Sequence, residues 1–374
     1  MSDVSTATEP VATETSEASE SSSSDTSSFD TAQRRSRQIE AELLVDASRY
    51  RMLTGDRPTG RLHIGHYFGS LANRVRLQDL GVDSWILIAD YQVITDRDGV
   101  GPIGERVLSL LVDYLAVGLD PARSTIFTHS AVPALNQLLL PFLSLVTDSE
   151  LRRNPTVKAE LAASQRPMSG LMLTYPVHQA ADILFCKANV VPVGKDQLPH
   201  LEQTRVVARR FGEAYAPVFP QPDALLSEAP NILGTDGQKM SKSRGNTIEI
   251  GMTAEATAKI IKRAVTDSDR NITYDPQARP EVANLLLLAS LCTGRSPESW
   301  AEEIGDGGSG RLKAVVTEAV NATFAPIRAR RAELEADQGY LVEVLEAGNA
   351  RANEVADATL DEVRAAMGMV YDLR

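Results

Sequence analysis

Two histidines three residues apart follow a loop of glycine and proline, in the stretch Thr-Gly-Asp-Arg-Pro-Thr-Gly-Arg-Leu-His-Ile-Gly-His at residues 54–66. The glycines allow the backbone to approach a ligand closely. A helix that begins beside the loop offers free amide donors and its positive dipole end to a phosphate. His63 and His66 lie one helical turn apart and can face one anion, while Gly65 leaves room for a flat base. The motif predicts a nucleotide site. From these residues alone, a turn with a metal site or with satisfied surface histidines stays open.

Two lysines, Lys239 and Lys242, are also three residues apart, in the string Lys-Met-Ser-Lys-Ser at 239–243. The turn Gly-Thr-Asp-Gly at 234–237 precedes them. On a mobile loop, two lysines with interleaved hydroxyls can clamp a polyphosphate. An ordinary basic surface turn is the alternative for this motif in isolation. The presence of both motifs, about 175 residues apart in one chain, favours a site for a triphosphate.

Strand and helix patterns alternate from residue 50 and must position these motifs. We expect strands at 50–54, 84–89, 125–128 and 190–193, and helices at about 64–80, 104–117 and 196–211. The second strand is continuously apolar, as a parallel sheet covered on both faces requires. The succession predicts an α/β fold with a doubly wound, Rossmann-like parallel sheet that binds ligands at the carboxyl ends of its strands. This catalytic domain would span residues 34–251.

Strand patterns end at residue 252, and the rest of the chain predicts helices. Ser296 followed by Pro297 is a good helix start, with serine as N-cap and proline in the first turn. Residues 305–310 form a glycine-rich loop, and two or three amphipathic helices follow it. A helical second domain at 252–374 is expected, which also contributes helices that close the catalytic domain.

The net charge of −12 does not indicate a nucleic-acid binder, because phosphate contacts need cations. Residues 1–33 hold seven acids and no Lys or Arg, which leaves −5 for the remainder. This Ser/Thr-rich acidic tail cannot bury enough apolar surface to offset its ordering entropy, so we expect it to be disordered. The basic cluster at 34–37 leads into a short helix around 38–47; it is either a solvated helix start or an auxiliary contact with RNA phosphate.

Several classes of protein are excluded by what the sequence lacks. No run of about 18 apolar residues could span a membrane, and the first thirty residues do not resemble a signal peptide. A soluble cytoplasmic protein is expected. Cys186 and Cys292 have no neighbours at metal-ligand spacing, and with only five histidines we expect no protein-bound metal. Two buried thiols are expected, and a disulfide between them stays open.

Four further strings carry a family resemblance: Gly-Asp-Arg-Pro-Thr-Gly (55–60), Tyr-Pro-Val-His-Gln-Ala-Ala-Asp-Ile-Leu (175–184), Val-Pro-Val-Gly-Lys-Asp-Gln (191–197) and Ala-Val-Thr-Asp-Ser (264–268). Together with the two motifs, which are the signature of class I aminoacyl-tRNA synthetases, they resemble tryptophanyl-tRNA synthetase of the bacterial type. The similarity covers about residues 50–374. The last string is typical of the tryptophan enzymes rather than their tyrosine relatives.

The resemblance implies a role for each matching residue. His63, His66, Lys158, Lys239 and Lys242 would be catalytic. ATP would be bound by Arg57, Pro58, Thr59, Gly65, His66, Gly194, Lys195, Asp196, Lys239, Met240, Ser241, Lys242 and Ser243. Tryptophan would be bound by Asp182, Tyr175, Gln179, Gln197 and Gln92.

Asp182 has a physical rationale beside the resemblance. It falls among Ala180, Ala181, Ile183 and Leu184, which indicates burial. A buried carboxylate needs a donor, and an indole N–H is one. A site built on that bond can reject an analogue without the donor by about 10⁴–10⁵ without editing. An exposed acid on a helix is the alternative.

Three departures from the family pattern lie near this site. Lys195 replaces the usual glutamate of Gly-Glu-Asp-Gln, Gln92 replaces a histidine common in bacterial members, and Gln179 replaces a methionine. The last two resemble auxiliary copies of the enzyme and predict altered sensitivity to tryptophan-like inhibitors.

The resemblance further implies ATP-dependent activation of tryptophan, transfer to tRNA(Trp), magnesium carried on ATP, and a homodimer. The C-terminal helices would bind the anticodon. There, Arg328, Arg330 and Arg331 form either a phosphate patch or a solvated helix face. Tyrosyl-tRNA synthetase, a small-molecule nucleotidyltransferase of the same superfamily, and a regulatory copy that charges no tRNA are the competing hypotheses.

Overall fold

Five parallel strands form the central sheet of the computed structural model, which describes residues 17–95, 101–164, 167–226, 232–240 and 244–371, without the side chains of 17–28 and 163–164. The strands are β1 (Arg51–Asp56), β2 (Asp83–Ile88), β3 (Ser124–Thr128), β4 (Val190–Val193) and β5 (Asp223–Leu226). Their order is β3-β2-β1-β4-β5. Because the order reverses between β1 and β4, a ligand crevice is expected at the carboxyl ends of these two strands. The predicted fold class is confirmed.

The helices connect and cover these strands. In chain order they are α1 (Glu17–Asp46), α2 (Ile64–His66), α3 (Ala72–Leu80), α4 (Ile103–Ala116), α5 (Pro133–Gln137), α6 (Leu139–Leu143), α7 (Asp148–Arg153), α8 (Pro155–Ser164), α9 (Gly170–Leu184), α10 (Leu198–Ala214), α11 (Ala254–Lys262), α12 (Pro280–Thr293), α13 (Pro297–Ile304), α14 (Gly308–Ala336) and α15 (Gln338–Ala366). Tyr67–Leu71 is a π-helical segment between α2 and α3. Within the described ranges, no helix combines the length and the apolar character of a membrane span.

Alternate residues of β2 serve the two faces of the sheet. Ile86 and Ile88 belong to the core under α4, while Trp85 and Leu87 belong to the core under α9. All four are buried. Because both faces of this strand are covered by helices, neither of its faces is open to solvent, and its sequence is therefore continuously apolar.

The prediction of a disordered segment up to residue 33 is wrong for residues 17–33, because α1 begins at Glu17; residues 1–16 lie outside the described ranges. The helix lies along the edge strand β5. Arg35 Nε is 2.8 Å from Asp223 Oδ2, and Ser36 Oγ accepts the Leu226 N–H at 2.9 Å. Ile39 and Leu43 are buried in the core. Once this half is docked, each residue added toward the N-terminus gains a backbone hydrogen bond, so the helix propagates into the serine-rich segment.

The C-terminal helices pack directly onto the sheet domain. α15 crosses β3 at Gly348, where an added Cβ would lie 1.8 Å from the Ile126 carbonyl oxygen, so only glycine permits this approach. Ser296 caps α13 as predicted, its side chain accepting the Ser299 N–H. The glycine-rich stretch predicted as a loop is instead helical: Gly305–Gly307 is a 3₁₀ turn, and α14 follows at once.

Two of the three arginines considered as a phosphate patch are engaged inside the protein. Arg331 is 6% exposed and pairs with Asp113 of α4. Arg328 donates to Asn321 Oδ1 (2.7 Å) and to Thr257 Oγ1 (2.9 Å). Only Arg330 of the three is exposed, and its guanidinium is 3.0 Å from Glu333. The phosphate patch is therefore wrong as predicted: α14 uses its arginines to attach to α4 and α11.

Candidate active site

The first motif forms the connection from β1 into α2. His63 is the N-cap of α2, and its backbone N–H donates to His66 Nδ1 at 3.1 Å. The two imidazole rings lie with centroids 3.7 Å apart, as their spacing predicts. Asp56 ends β1 and accepts hydrogen bonds from Arg74 (2.6 Å) and Tyr114 Oη (2.7 Å). Burial alone would raise the pKa of Asp56, but these two donors lower it below its usual range.

The two motifs meet in the folded chain. An added Cβ at Gly65 would lie 3.2 Å from Met240 Sδ and 3.0 Å from the His63 ring, so glycine leaves room for both neighbours. The strand-like segment after the second motif continues the contact: Ile64 N–H donates to Ile248 O (2.9 Å), and Ile250 N–H donates to Leu62 O (3.1 Å). Lys239 is exposed on the same loop. Ser241, Lys242 and Ser243 lie outside the described residues.

A cavity of about 410 Å³ opens at the carboxyl ends of β1, β2 and β4, in the size range of small-molecule sites. All five residues predicted to bind tryptophan line it: Gln92, Tyr175, Gln179, Asp182 and Gln197. Of the residues predicted to bind ATP, Arg57 and Gly194 line it as well. The π-helical segment contributes Gly69 and Ser70 to its wall. π-Helical turns inside helices often mark functional sites.

Asp182 lies in the last turns of α9 and is 1% exposed. Its Oδ1 is 2.8 Å from Nε2 of His129, a residue that directly follows β3. Its Oδ2 is 3.4 Å from the side-chain nitrogen of Gln92. The expected burial is therefore found. No pattern in the sequence singles out His129.

Tyr175 lies about two helical turns before Asp182, and both line the cavity from α9. The Tyr175 hydroxyl is 3.3 Å from His200 Nε2. The same side chain is hydrogen-bonded to the Glu160 side chain. Burial and the Glu160 carboxylate raise the pKa of Tyr175 well above its usual value. Burial lowers the pKa of His200 to about 4, which keeps its imidazole neutral. The pocket therefore holds a neutral phenol and a neutral imidazole at physiological pH.

The segment after β4 leads toward the expected nucleotide. Gly194 is the N-cap of a 3₁₀ turn, Lys195–Gln197, in which the Gln197 amide donates to Asp196 Oδ2 at 3.0 Å. Lys195 and Asp196 are exposed. The Lys195 ammonium lies 4.6 Å from the centre of the Phe29 ring of α1. The residue that departs from the family pattern is thus in contact with the N-terminal helix.

The structure does not bring every predicted residue to the cavity. Lys158 is exposed on α8 and does not line it, whereas Glu160 of the same helix does. Pro58 and Thr59 lie on the loop beyond Arg57, outside the cavity lining. Arg74, buried beside Asp56, lines the cavity and was missed because its position in a polar helix predicts a surface residue. Both cysteines are free, and burial raises the pKa of Cys186 to about 12 and of Cys292 to about 11.

A doubly wound sheet, a Gly/Pro loop after β1, a lysine-containing loop in contact with it and a cavity at the strand ends are together typical of the class I synthetase architecture. The model of the family "tRNA synthetases class I (W and Y)" matches residues 46–325. The helix α1 lies almost wholly outside this match.

Relatives narrow the class to its tryptophan members. A tryptophan–tRNA ligase from Clostridium longisporum is 41% identical, over 86% of this chain and 97% of the relative. One from Treponema pallidum is 42% identical, over 85% and 97%. A crystal structure of tryptophanyl-tRNA synthetase from Campylobacter jejuni, complexed with ADP and tryptophan, has a TM-score of 0.75 at 31% identity and covers 85% of this chain and 99% of that one. The chain belongs to the tryptophan–tRNA ligase family.

Proposed function

We propose that this chain activates L-tryptophan with ATP and transfers it to the 3′ end of tRNA(Trp), as an aminoacyl-tRNA ligase of translation. One observation carries the proposal: all five residues expected to bind tryptophan, from three separate segments, line one cavity beside the loop that follows β1. Chance would not gather Gln92, Asp182 and Gln197 in this way. Membership of the tryptophan–tRNA ligase family supports the same reaction.

The first step needs positioning and charge stabilisation. An oxygen of the tryptophan carboxylate attacks the α-phosphorus of ATP in line, and the bond from that phosphorus to the bridging oxygen breaks to release pyrophosphate. His63 and His66 bind the phosphates at the start of α2. The lysines of the second motif bind the departing pyrophosphate, and the contact of Met240 with Gly65 brings their loop to the same helix end. In the second step a ribose hydroxyl of tRNA attacks the activated carbonyl carbon, and AMP leaves.

The residues around Asp182, at one end of the cavity, select the amino-acid substrate. Asp182 accepts the indole N–H, and its burial makes an unmatched substrate costly, because the carboxylate then loses a hydrogen bond that water cannot replace. Arg57, Pro58, Thr59, Gly194, Lys195 and Asp196 bind the nucleotide. Lys158 stays in the proposal as a cation that approaches the phosphates from α8.

Magnesium enters as part of the MgATP substrate. The carboxylates that line the cavity in the described ranges are already engaged: Asp56 with Arg74, Asp182 with His129, and Glu160 with Tyr175. None of them is arranged as an oxygen cage for a resident ion. A homodimer with tRNA contacting the C-terminal helices, and a cytoplasmic location, complete the proposal.

Two assays on the purified chain test the function. ATP–pyrophosphate exchange is measured with tryptophan and with tyrosine, and charging is measured with tRNA(Trp). We expect exchange and charging with tryptophan and no measurable exchange with tyrosine. Tyrosine-dependent exchange would identify a tyrosyl enzyme instead. Exchange with tryptophan but no charging would identify a copy that has kept activation and lost aminoacylation.

A further inference from the structure

The carboxylate that recognises indole has a buried partner that the proposed reaction does not use. His129 is wholly buried, and its Nε2 lies 2.8 Å from Asp182 Oδ1. It does not line the cavity, whereas Asp182 and Gln92 do. The imidazole therefore contacts the carboxylate from behind, on the side away from the substrate.

The neighbouring hydrogen bonds fix which atoms donate. The Asn136 side-chain nitrogen donates to the carbonyls of His129 (2.8 Å) and Val132 (3.0 Å), so Asn136 Oδ1 must be the acceptor in its 2.8 Å contact with His178 Nε2. His178 therefore carries its proton on Nε2, and burial lowers its pKa and keeps it neutral. Both oxygens of a carboxylate are acceptors, so we assign His129 Nε2 as the donor to Asp182 Oδ1.

Hydrogen bonds from two other segments of the chain fix the backbone on both sides of His129. Asp90, at the end of β2, accepts hydrogen bonds from the N–H (3.1 Å) and the hydroxyl of Ser130. Thr128 N–H donates to Asn349 of α15 at 3.0 Å. The position of His129 is thus set by two elements besides its own strand, which makes it a rigid support for a carboxylate.

Because His129 is hydrogen-bonded to one oxygen of Asp182, the two carboxylate oxygens have different roles. Oδ1 is hydrogen-bonded to His129, and Oδ2, whose one hydrogen-bond contact among the described residues is the longer 3.4 Å contact with Gln92, remains for a ligand in the cavity. A carboxylate without the rear contact would rotate about its last torsion and offer either oxygen. Fixing it presents a single acceptor in a single direction.

We propose that His129 is a positioning residue that sets the specificity of this site for an indole N–H by holding Asp182; the inference rests on the proposed tryptophan pocket. His129, His178 and Asp182 could also be viewed as metal ligands, since one atom of each lies within 4.8 Å of the others. However, Nε2 of each histidine already has a hydrogen-bond partner. His129 Nδ1 has no hydrogen-bond partner among the described residues, so a bound transition metal is an outcome that the test must separate.

The experiment compares His129→Asn, His129→Leu and His129→Gln with the unmodified chain. Exchange is measured with tryptophan and with its sulfur isostere, in which the benzothiophene ring has no N–H donor. Glutamine is long enough to donate to Asp182, asparagine is one methylene shorter, and leucine cannot donate. We expect the asparagine and leucine variants to lose about 10–100-fold in kcat/KM for tryptophan, with less than threefold loss for the isostere and an unchanged KM for ATP. The glutamine variant should restore the ratio of kcat/KM for tryptophan to kcat/KM for the isostere to within about fivefold of its value in the unmodified chain.

If His129 had a purely structural role, its replacement would lower kcat/KM for both substrates by the same factor. The proposal is therefore overturned if the ratio of kcat/KM for tryptophan to kcat/KM for the isostere in the asparagine variant lies within about threefold of the ratio in the unmodified chain. If the leucine variant fails to fold, the polar asparagine variant still provides this comparison. Stoichiometric zinc in the purified chain, lost in the asparagine variant, would also overturn it in favour of a metal site. Absence of tryptophan-dependent exchange in the unmodified chain would be a failure of the proposed function itself, and is visible before any variant is made.

Discussion

Replacing Arg331 with methionine should destabilise the protein more than any surface substitution. The Arg331 side chain is 7% exposed and pairs with Asp113, whose side chain is 2% exposed. Arg331 also donates to Glu335 (2.9 Å) and Ser109 (3.3 Å). Asp113 accepts the Leu62 N–H at 3.3 Å, next to His63 of the first motif. The pair thus joins a C-terminal helix to the loop that we propose binds the phosphates.

The expected magnitude follows from burial. Methionine fills much of the arginine volume but leaves the Asp113 carboxylate without a cation, and removing one partner of a buried pair costs about 3–5 kcal/mol. In the double variant Arg331→Met/Asp113→Asn the uncompensated charge is gone, while the amide oxygen can still accept the Leu62 N–H. We expect the double variant to recover about 2 kcal/mol of the loss.

Equilibrium urea unfolding measures these free energies, and ATP–pyrophosphate exchange shows whether the KM for ATP rises as the Leu62 loop loosens. Arg330→Met is the matched control, since Arg330 is exposed and its ion pair within the described part of the chain is with Glu333, one turn away. Its cost should stay below about 0.5 kcal/mol. Loss of under about 1 kcal/mol in Arg331→Met, or no recovery in the double variant, would refute the view that this buried pair attaches the helical region to the motif loop.

Three further changes test other parts of the structure. Phe29→Ala should cost about 0.5–1 kcal/mol through its contact with Lys195, with no added cost in a Lys195→Met background; additive costs in a double-mutant cycle would contradict the contact. The pKa of His200 is lowered to about 4 in the folded protein. As the pH falls from about 6.5 toward 4, the His200 imidazole is therefore protonated in the unfolded chain but not in the folded protein, and the free energy of unfolding decreases. His200→Gln should flatten that acid limb in urea titrations by up to about 1.4 kcal/mol per pH unit, and an unchanged slope would count against a neutral buried imidazole. Lys242→Ala should lower the rate of adenylate formation about 10²–10³-fold, and a tenfold effect or less would contradict its role.

The sequence was most informative where the chemistry depends on spacing along one element. His63 and His66 lie ring to ring as their separation predicts, and the apolar pattern at 84–89 located a central strand to within one residue of β2. The pocket residues from 175 to 197 could be assigned because they come from recognisable strings. These features are local, so a pattern on one element suffices to find them.

The errors concern features decided by a partner distant in the chain. Residues 17–33 look disordered because their composition is polar, yet they extend a helix whose later turns dock on β5. β5 itself is a four-residue edge strand with too few residues to show a period. Arg331 looks like a surface residue in an Ala/Glu/Arg helix, and only the fold places Asp113 opposite to it. His129 escaped notice because nothing in its own segment reveals the carboxylate 53 residues later.

We propose that Asp182 recognises an indole at the floor of a cavity that ATP shares. The decisive experiment measures tryptophan-dependent ATP–pyrophosphate exchange by the unmodified chain and by Asp182→Ala. Hydrogen bonds to a charged group contribute about 1.5–3 kcal/mol, so we expect the variant to lose about 10–150-fold in kcat/KM for tryptophan, with the KM for ATP little changed. Recognition of the indole by Asp182 would be ruled out by a variant that retains its kcat/KM for tryptophan within about threefold, or by an unmodified chain that shows no exchange with tryptophan.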